Sequence, residues 1–509
     1  MTIPQNPYIA GNPVGDSNAF IGRADVLSEV NRLLANPNAN AIVLYGQRRI
    51  GKTSILQQLA EQLPKIGKYC PVNFDLQDKA SWPLEKVLEA LACEINHSLS
   101  LPETQELKFS NNDEFRCRYI PQVLRGLPKD SSLVLLFDEF DVFDNPSTDQ
   151  AGAAFFPYLR QLMEIDRRHL QFVFVIGRKP DDLTTLALSV FKGVKSKRVS
   201  LLNKEDTVRL IYLSRDNKTL DWSKEAIEEI RELTSGHPYL TQQLCEIIWN
   251  HAYEEETDSP PIITPAQVQA AIPETIESCV NALEWLWNGL APPERIVTSV
   301  MAHAGPGTIN QTELEQHLAE SGVRVVISEL QNAPQILQDW DLIEPDQNGY
   351  RFRVELLRRW IAEKKPIGRV QKEMDHIEPV ANNLYQAGYG YYQNSQLETA
   401  IDLLKQSLSL NPNHLQAGLL LAHIFLAQGK LKDAIALLER IYKYNPGATR
   451  TRLVQALLDR AEDTKSDDDK LNIFNHILRI NPDQAEAAEG RKTIGKNRGD
   501  EALEKGLLE

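Results

Sequence analysis

The residues best suited to chemistry lie at positions 46–53, which read Gly-Gln-Arg-Arg-Ile-Gly-Lys-Thr. Glycines at both ends of such a loop let consecutive backbone N–H groups point inward at phosphate oxygens. An apolar run at 41–45 precedes the loop and a helical pattern follows it, which is the context that a P-loop requires. We therefore expect Lys52 to reach the β- and γ-phosphates of ATP or GTP and Thr53 to bind Mg²⁺. The predicted nucleotide contacts in this stretch are Gly46, Gln47, Arg48, Arg49, Ile50, Gly51, Lys52, Thr53 and Ser54.

A second group of polar residues follows the apolar run Leu133–Phe137. An apolar strand that ends in Asp-Glu is the expected partner of a P-loop. Asp138 is predicted to hold Mg²⁺ directly or through water, and Glu139 to act as the general base that polarises the attacking water. Asp141 is left open between a solvated loop acid and a functional residue.

Two groups of cations complete the candidate chemistry. The apolar run Phe172–Ile176 is followed by Gly177 and Arg178. If this strand lies beside the P-loop strand, Arg178 is placed to contact the γ-phosphate in a bidentate manner, with a surface arginine as the alternative. The basic segment Lys192–Arg198 is read as a solvated loop edge, with contact to a neighbouring subunit's nucleotide as the alternative.

The elements that must position these residues alternate between strands and helices from residue 20 to about 200. Alternation of this kind predicts a parallel sheet covered on both faces by helices. The predicted strands are Ala41–Tyr45, Tyr69–Leu76, Leu133–Phe137, Phe172–Ile176 and Lys197–Leu201, and the predicted helices include Lys52–Leu63 and Leu84–Ile95.

Residues 204–257 have a wholly helical pattern, and residues 281–365 predict helices followed by a hairpin that turns at Asn348-Gly349. Helices followed by a hairpin suggest a winged helix, and Trp285, Trp287 and Trp360 are expected in its core. Its candidate recognition helix, Val326–Trp340, contains no Lys or Arg. A helix that reads DNA usually offers cations to phosphate, so this module is interpreted as regulatory, with DNA contact as the alternative.

A repeat fills residues 381–482, where Asn-Pro recurs at 411–412, 445–446 and 481–482. Small and large residues recur at matching offsets between these markers. This pattern resembles tetratricopeptide repeats, in which small residues let paired helices pack closely and proline ends the second helix. The third unit is degenerate because it carries Asp-Asp-Asp at 467–469. The charged tail is expected to form a capping helix or to be disordered.

Composition limits the class of protein. The net charge of −15 gives no general attraction to nucleic acid or to an anionic membrane. Five widely spaced cysteines without a CxxC pair disfavour structural zinc and disulfides, which fits a reducing cytoplasm. The sequence shows neither a long apolar run nor a signal peptide.

Together these motifs resemble the STAND class of signalling ATPases, relatives of AAA+ proteins, and most of all their prokaryotic AAA-like or archaeal-type branch. Phe20-Ile-Gly-Arg23 is similar to that class's opening box against the adenine, and Ile176-Gly-Arg178 is similar to its sensor arginine. Ser235-Gly-His-Pro-Tyr239 is similar to its GxP motif, in which Pro238 packs near the base. The resemblance implies Phe20, Arg23 and Pro238 as further nucleotide contacts. His237 is interpreted as structural or solvent-exposed rather than catalytic.

The expected architecture is a multidomain α/β plus all-α protein: an ASCE-type P-loop sheet with a helical lid, a winged helix and a TPR α-solenoid. The predicted divisions are an extended leader at 1–19, a P-loop NTPase domain at 20–203, a lid at 204–280, a winged helix at 281–366, a linker at 367–380, repeats at 381–490 and a charged tail at 491–509.

The resemblance implies a slow, cytoplasmic ATPase that uses ATP/ADP and Mg²⁺ as a signal-transduction switch. Its repeats would bind a protein partner, and ATP would favour a homo-oligomer. One alternative is a DNA-associated AAA+ ATPase. The other is a scaffold that binds nucleotide only for stability.

Overall fold

The computed structural model describes residues 5–15, 18–101, 109, 111–144, 149–180, 183–254, 259–320, 323, 328–366, 371–443 and 445–506. The chain divides into two compact units. The first contains the chain up to Gly289 together with Trp340–Leu342 and Arg353–Leu357, and the second contains the remainder. Among the described residues, no helix combines the length and the apolar character that crossing a membrane would require. The finer domain boundaries given above remain predictions.

Five parallel strands form the central sheet of the first unit, in the order β2-β3-β4-β1-β5. They are β1 (Ala41–Tyr45), β2 (Tyr69–Asp75), β3 (Ser132–Asp138), β4 (Leu170–Ile176) and β5 (Lys195–Arg198). Strand β4 lies between β1 and β3, so the P-loop strand and the acid-bearing strand are not neighbours. Their carboxyl ends nevertheless share one edge of the sheet, which confirms the predicted P-loop architecture.

The edge strand β5 differs from its prediction at Lys197–Leu201. It spans Lys195–Arg198 and pairs with β1 from Ile42↔Lys195 to Tyr45↔Arg198. The apolar residues Val199 and Leu201 follow the strand and pack into the core instead. Because an edge strand is covered less than a central one, backbone pairing rather than an apolar run defines it.

Helices cover the sheet and continue beyond it. In the first unit they are α1 (Ala24–Leu34), α2 (Lys52–Lys65), α3 (Leu84–Ser98), α4 (Asn112–Glu114), α5 (Ile120–Gly126), α6 (Asp149–Met163), α7 (Thr185–Phe191), α8 (Lys204–Ile211), α9 (Leu213–Asp216), α10 (Lys224–Thr234), α11 (Pro238–Ala252), α12 (Pro265–Ser278) and α13 (Val280–Asn288). A π-helical stretch, Phe115–Tyr119, joins α4 to α5, and 3₁₀ turns cover Gln77–Lys79 and Phe140–Phe143.

Two hydrophobic clusters hold the sheet between these helices. On one face, Phe137 stacks in parallel with Phe172 and Phe174 at centroid distances of 6.4 and 5.6 Å. On the other face, Ile42 and Leu44 pack with the buried residues of α1 and α2. Since both faces are covered, every residue of β3 and β4 is buried, which explains their continuous apolar runs.

The helical stretch predicted at 204–257 contains one exception. Strand β6 (Asp221–Trp222) interrupts it and pairs in parallel with β7 (Ile262–Ile263). Helix α10 ends in a left-handed turn, where Ser235 has φ 46° and Gly236 has φ 75°. A Cβ atom on Gly236 would lie 2.6 Å from the carbonyl oxygen of Leu202, so only glycine fits this turn without displacing its neighbours.

The predicted extended leader packs tightly onto the first unit. Tyr8 is buried, and its hydroxyl donates to the carbonyl of Ile211 and forms a second hydrogen bond with Ser214 Oγ, which is placed to donate. Farther along, the Val14 N–H donates to Ser54 Oγ at 3.1 Å. A Cβ atom on Gly15 would lie 2.3 Å from the carbonyl oxygen of Ser54, so the leader runs directly against the first turn of α2.

The second unit begins with helices α14 (Pro292–Ala304), α15 (Gln311–Glu320) and α16 (Ser328–Asp339), and α17 (Glu355–Lys364) follows the hairpin. Strands β8 (Ile309–Asn310), β9 (Ile343–Asp346) and β10 (Gly349–Phe352) form an antiparallel sheet in the order β8-β10-β9. Within the described residues, the predicted recognition helix ends at Asp339 rather than at Trp340, and its residues 326–327 lie outside the described ranges.

Gly349 has a different role from the one that the sequence suggested. It is the first residue of β10, and the turn is formed by Gln347 and Asn348, with Gln347 at φ 47°. A Cβ atom on Gly349 would lie 2.3 Å from the carbonyl oxygen of Ile309. Close approach of strand β8, rather than turn geometry, therefore requires glycine at this position.

Paired helices form the repeat region. They are Pro379–Gln393, Leu397–Leu410, Leu415–Ala427, Leu431–Tyr442, Pro446–Asp463, Asp467–Ile480 and Ala485–Gly506, after a 3₁₀ turn at Gln371–His376. The degenerate third unit still forms its helix pair, which packs through Leu453 and Ile477. Much of the charged tail is a helix that buries Ala487 and Ile494, as expected of a capping helix.

Candidate functional site

The P-loop connects the carboxyl end of β1 to the first residue of α2. Gly51 has φ 96° and Arg49 has φ 60°, so the backbone curls before the helix begins at Lys52. A Cβ atom on Gly46 would lie 2.3 Å from the carbonyl oxygen of Val199, which leaves room only for glycine. The amino end of α2 therefore faces the concave side of the loop, where its N–H groups and dipole favour an anion.

Lys52 lies inside this loop. It is buried, and its Nζ donates to the carbonyl oxygens of Gly46 and Gln47 at 3.0 and 2.9 Å. Burial lowers the pKa of the Lys52 ammonium, whereas the nearby carboxylates, Glu139 first among them, act in the opposite direction. The ammonium is thus held by acceptors that a phosphate group would replace.

Thr53 and Asp138 meet across the sheet edge. Thr53 Oγ1 donates to Asp138 Oδ2 at 2.7 Å, and the Glu139 N–H donates to Asp138 Oδ1 at 2.9 Å. Burial raises the pKa of Asp138, although these hydrogen bonds and Lys52 oppose the shift. A hydroxyl beside a carboxylate is an oxygen donor set that suits Mg²⁺, which completes its shell with phosphate oxygens and water.

Glu139 follows directly, in a left-handed conformation with φ 49°. Its Oε1 lies 3.6 Å from Arg48 Nε, and the Arg48 guanidinium stacks over the ring of Trp285 at 4.5 Å. Burial raises the pKa of Glu139, while Lys52 and Arg48 lower it. A non-glycine residue at positive φ is strained, and such strain is concentrated at functional sites.

Arg178 is held away from the loop. Its guanidinium donates to Asp141 Oδ2 at 3.3 Å and to the carbonyl oxygens of Asp141 and Asp144. Asp141 Oδ1 also accepts from the Gly177 N–H. Asp141, which the sequence left open, therefore anchors Arg178, and a γ-phosphate role for Arg178 remains a prediction.

A cleft of about 450 Å³ opens above the loop. That size suits a nucleotide-sized ligand. Its lining includes eleven of the predicted contact residues: Phe20, Arg23, Arg48, Arg49, Ile50, Gly51, Lys52, Thr53, Ser54, Glu139 and Pro238. Gly46, Gln47, Asp138 and Arg178 are not part of the lining, although all except Arg178 lie beside it through the contacts above.

Arg23 lines the cleft and also donates hydrogen bonds to backbone carbonyl oxygens. It is 8% exposed, and its guanidinium donates to the carbonyl oxygens of Ser200 and Ile50, the latter at 2.7 Å. Burial lowers the pKa of Arg23 to about 10, so it remains charged at neutral pH. Arg23 thereby ties the opening box to the P-loop and to the end of β5.

Several lining residues were missed by the sequence prediction. Trp285 was expected in the winged-helix core, but it is 37% exposed and lies in the first unit beneath Arg48. Tyr239 stacks with Arg49 at 4.4 Å. Leader residues such as Ile9 and Pro13 also line the cleft. Helix α13, which carries Trp285, belongs to the first unit, whereas the sequence grouped it with the helices that precede the hairpin, because an apolar stretch alone does not show which core a helix joins.

Hydrogen bonds and ion pairs join the segment Trp340–Leu342 to other residues of the first unit. Gln47 donates to the carbonyl of Trp340, and Asp341 pairs with Arg198 at 2.5 Å and with Arg353. Asp341 Oδ2 also accepts from Ser200 Oγ at 2.6 Å. These contacts place the segment before the hairpin directly against the P-loop.

The basic segment Lys192–Arg198 is therefore divided between partners. Lys195 pairs with Glu29, and Lys197 pairs with Asp25 at 2.8 Å. Arg198 pairs with Asp341 at the opposite end of β5. The segment does not present one continuous basic patch.

Comparisons with known proteins bear on this site. Residues 8–272 match the family described as AAA-like domain, and residues 391–461 match the tetratricopeptide repeat. No protein with a curated description matches the chain.

Several solved structures are similar to this chain at low sequence identity. The Walker-type ATPase PABY2304 of Pyrococcus abyssi is 14% identical over 69% of this chain and 98% of its own, with a TM-score of 0.51. Cdc6p from Pyrobaculum aerophilum is 17% identical over 73% and 100%, with a TM-score of 0.38. The RuvB Holliday junction branch migration motor of Thermotoga maritima is 15% identical over 65% and 92%, with a TM-score of 0.33.

The match to the AAA-like domain covers more than half of the chain, and the P-loop sheet carries its motifs in the expected places. This chain belongs to the AAA-like domain family and carries tetratricopeptide repeats in its C-terminal region.

Proposed function

We propose that this chain binds and slowly hydrolyses ATP with Mg²⁺, and that it uses the bound nucleotide as a signalling switch whose repeats bind a protein partner. One observation carries the proposal: Lys52, Thr53 and Glu139 line a single cleft, and Asp138 lies beside it as the acceptor of the Thr53 hydroxyl. In this assignment, loop amides and Lys52 hold the phosphates, and Thr53 and Asp138 hold Mg²⁺. When bound, Mg²⁺ neutralises charge that develops on the phosphates.

Glu139 is the general base in this proposal, and Arg48 controls its availability. The Arg48 guanidinium lies near Glu139 and is predicted to contact phosphate as well. A bound triphosphate competes for the same cation, which leaves the carboxylate free to accept a proton from water. Burial raises the pKa of Glu139, so its carboxylate is a stronger base than that of an exposed glutamate.

The switch assignment is supported by the segment that joins the P-loop unit to the hairpin. Asp341 and the Trp340 carbonyl bind residues at the P-loop and β5, so a change at the loop alters contacts of this segment directly. The P-loop unit also carries the motifs that resemble those of STAND signalling ATPases. A nucleotide-dependent homo-oligomer and a regulatory winged helix belong to this proposal.

Point variants test the proposal in the full-length chain. Glu139→Gln is expected to keep Mg-ATP binding by calorimetry and to lower the rate of phosphate release by at least about 100-fold, since it removes the general base. Lys52→Ala is expected to weaken binding itself. Lys65→Ala, on the same helix but 67% exposed in its side chain, is the matched control and should change neither quantity.

The outcomes separate the alternatives. A scaffold binds Mg-ATP but shows no hydrolysis that Glu139→Gln can reduce. Folded wild-type chain that shows neither binding heat nor thermal protection with Mg-ATP contradicts the proposal altogether.

A further inference from the structure

His237 occupies a position in the cleft that the assigned chemistry does not use. It lies between Gly236 and the first residue of α11, is 2% exposed, and lines the same cleft as Lys52. Hydrogen bonding fixes the turn on which it stands, since the Leu202 N–H donates to the Gly236 carbonyl at 2.9 Å. The imidazole is therefore held on a rigid element.

The hydrogen bonds of His237 define which nitrogen carries the proton. Nδ1 accepts from the Leu240 N–H at 3.4 Å, so the side chain caps the start of α11. A neutral imidazole whose Nδ1 accepts must carry its proton on Nε2. Burial, assisted by the positive charges of Arg23 and Arg49, lowers the pKa of His237 to about 3, so the ring is neutral at physiological pH.

The Nε2–H group has no acceptor among the described residues of the chain. The two charged side chains nearest to the imidazole are arginines, which donate but do not accept. Arg23 binds the carbonyls of Ser200 and Ile50, and Arg49 stacks over Tyr239. A buried donor without a partner is unfavourable, and a ligand that supplies an acceptor removes that penalty.

The surroundings of His237 indicate which part of a nucleotide supplies the acceptor. Besides Arg23 and Arg49, the lining of this cleft includes the apolar residues Leu202, Leu210, Pro238 and Leu240. The donors that suit phosphate, Lys52 and the loop amides, belong to the P-loop. An apolar wall with one oriented donor fits the face and edge of a purine better than it fits a phosphate.

We propose that His237 selects the base, by donating a hydrogen bond from Nε2 to a ring nitrogen of the bound purine. This inference rests on the proposed function, because it requires that the cleft binds a nucleotide. His237 is then a specificity-determining residue as well as a helix cap. The sequence left His237 open between a structural and a solvent-exposed residue; it is buried, and its Nδ1 has the structural role of a helix cap.

The test compares wild type and His237→Asn with Mg-ATP and with its 1-deaza, 3-deaza and 7-deaza analogues, each of which lacks one ring nitrogen. Asparagine is a good helix cap, so it keeps the start of α11 while removing the distant donor. We expect one analogue to bind the wild type roughly tenfold more weakly than ATP. His237→Asn should bind ATP and that analogue equally.

Three outcomes are distinguishable by calorimetry. If the wild type binds no Mg-ATP, the proposed function is wrong. If it binds ATP and all three analogues equally, only the base-selecting role of His237 is wrong. If an analogue binds more weakly but His237→Asn shows the same penalty, another group contacts that nitrogen, and the role of His237 is again wrong. The wild-type series decides the matter even if the variant does not fold.

Discussion

At the scale of single residues, side chains of the candidate site form their hydrogen bonds with other residues of the protein. Lys52 binds two loop carbonyls, Thr53 binds Asp138, and Arg178 binds Asp141. In the proposed function, Lys52 and Thr53 are the groups that contact the triphosphate and its Mg²⁺. Nucleotide binding therefore exchanges internal hydrogen bonds for external ones, which reduces the net gain per contact. His237 Nε2 is the exception, since it has no internal bond to exchange among the described residues.

Acid should destabilise the first unit through His237. Its pKa is about 3 in the folded chain, below the ordinary value of 6.5, so the unfolded chain binds the proton more readily. Stability therefore falls as the pH drops below 6.5, with a slope of up to about 1.4 kcal/mol per pH unit. The charged residues that act on the imidazole are Arg23 and Arg49. Because both are positive, they lower the pKa of His237 further.

The measurement is the difference in unfolding midpoint between wild type and His237→Asn, at pH 7.0 and at pH 5.5. Other titrating groups are common to both chains and cancel in this comparison. We expect the variant to lose less stability on acidification than the wild type. Equal losses contradict the assignment of a neutral, buried imidazole.

At the scale of elements, a short polar leader contributes to the stability of the first unit. Tyr8 is 3% exposed, and its hydroxyl donates to the Ile211 carbonyl and lies within hydrogen-bond distance, 2.9 Å, of Ser214 Oγ. Tyr8→Phe keeps the ring and removes the hydroxyl. It should lower the free energy of unfolding by about 1–3 kcal/mol, because a buried carbonyl loses its donor.

Tyr253→Phe is the matched control for that substitution. The Tyr253 ring stacks on Trp249 at 4.4 Å, and its hydroxyl has no hydrogen bond within the described part of the chain. Denaturant unfolding followed by tryptophan fluorescence compares the two variants, since Trp222 and Trp249 lie in the same unit. Equal effects of the two substitutions rule out a stabilising role for the leader hydroxyl.

The turn between α10 and α11 gives a second prediction at this scale. Gly236→Ala forces a side chain into a left-handed position, with its Cβ 2.5 Å from Thr207 Oγ1 and 2.6 Å from the Leu202 carbonyl oxygen. Strain and overlap together should lower stability by about 2–4 kcal/mol. The turn also carries His237, so Mg-ATP affinity should fall as well.

Gly193→Ala isolates the contribution of overlap. Gly193 has φ 82°, close to the 75° of Gly236, but a Cβ atom there would meet nothing within 4 Å. The free energy of unfolding of Gly193→Ala should fall only by the cost of a side chain in the left-handed conformation, about 1–2 kcal/mol. If thermal unfolding shows the same loss for both glycines, close packing does not constrain the turn.

Local patterns predicted much of the fold and of the candidate site. The P-loop, the central strands and the repeat helices each depend on residues that are close in sequence, and the sequence predicted these elements at the correct positions. The order β2-β3-β4-β1-β5, the packing of Tyr8 and the stacking of Trp285 on Arg48 depend on contacts between distant residues. Edge strand β5 was misplaced for the same reason, because only its pairing with β1 defines it.

At the scale of the whole molecule, a nucleotide site and a repeat surface occur in one chain but in different compact units. A switch requires a coupling free energy between the two sites, so that binding at one changes affinity at the other, whereas a scaffold does not. Linkage makes this requirement reciprocal: a partner that binds the repeats must change nucleotide affinity by the factor with which the nucleotide changes partner affinity. The distinction is therefore measurable before any partner is known.

Hydrogen exchange of the full-length chain tests the coupling directly. If the chain is a switch, amide exchange in the repeat helices from Pro379 to Ile480 should differ between Mg-ATP and Mg-ADP, because the two nucleotides then favour different states of the same molecule. Glu139→Gln prevents loss of ATP during the measurement, and Lys52→Ala controls for effects of nucleotide outside the cleft. Amides of the P-loop and α2 should be protected by either nucleotide, which shows that binding occurred. Protection confined to the first unit, with exchange in the repeats identical in Mg-ATP, in Mg-ADP and without nucleotide, excludes the switch and leaves a scaffold in which nucleotide stabilises only the unit that binds it.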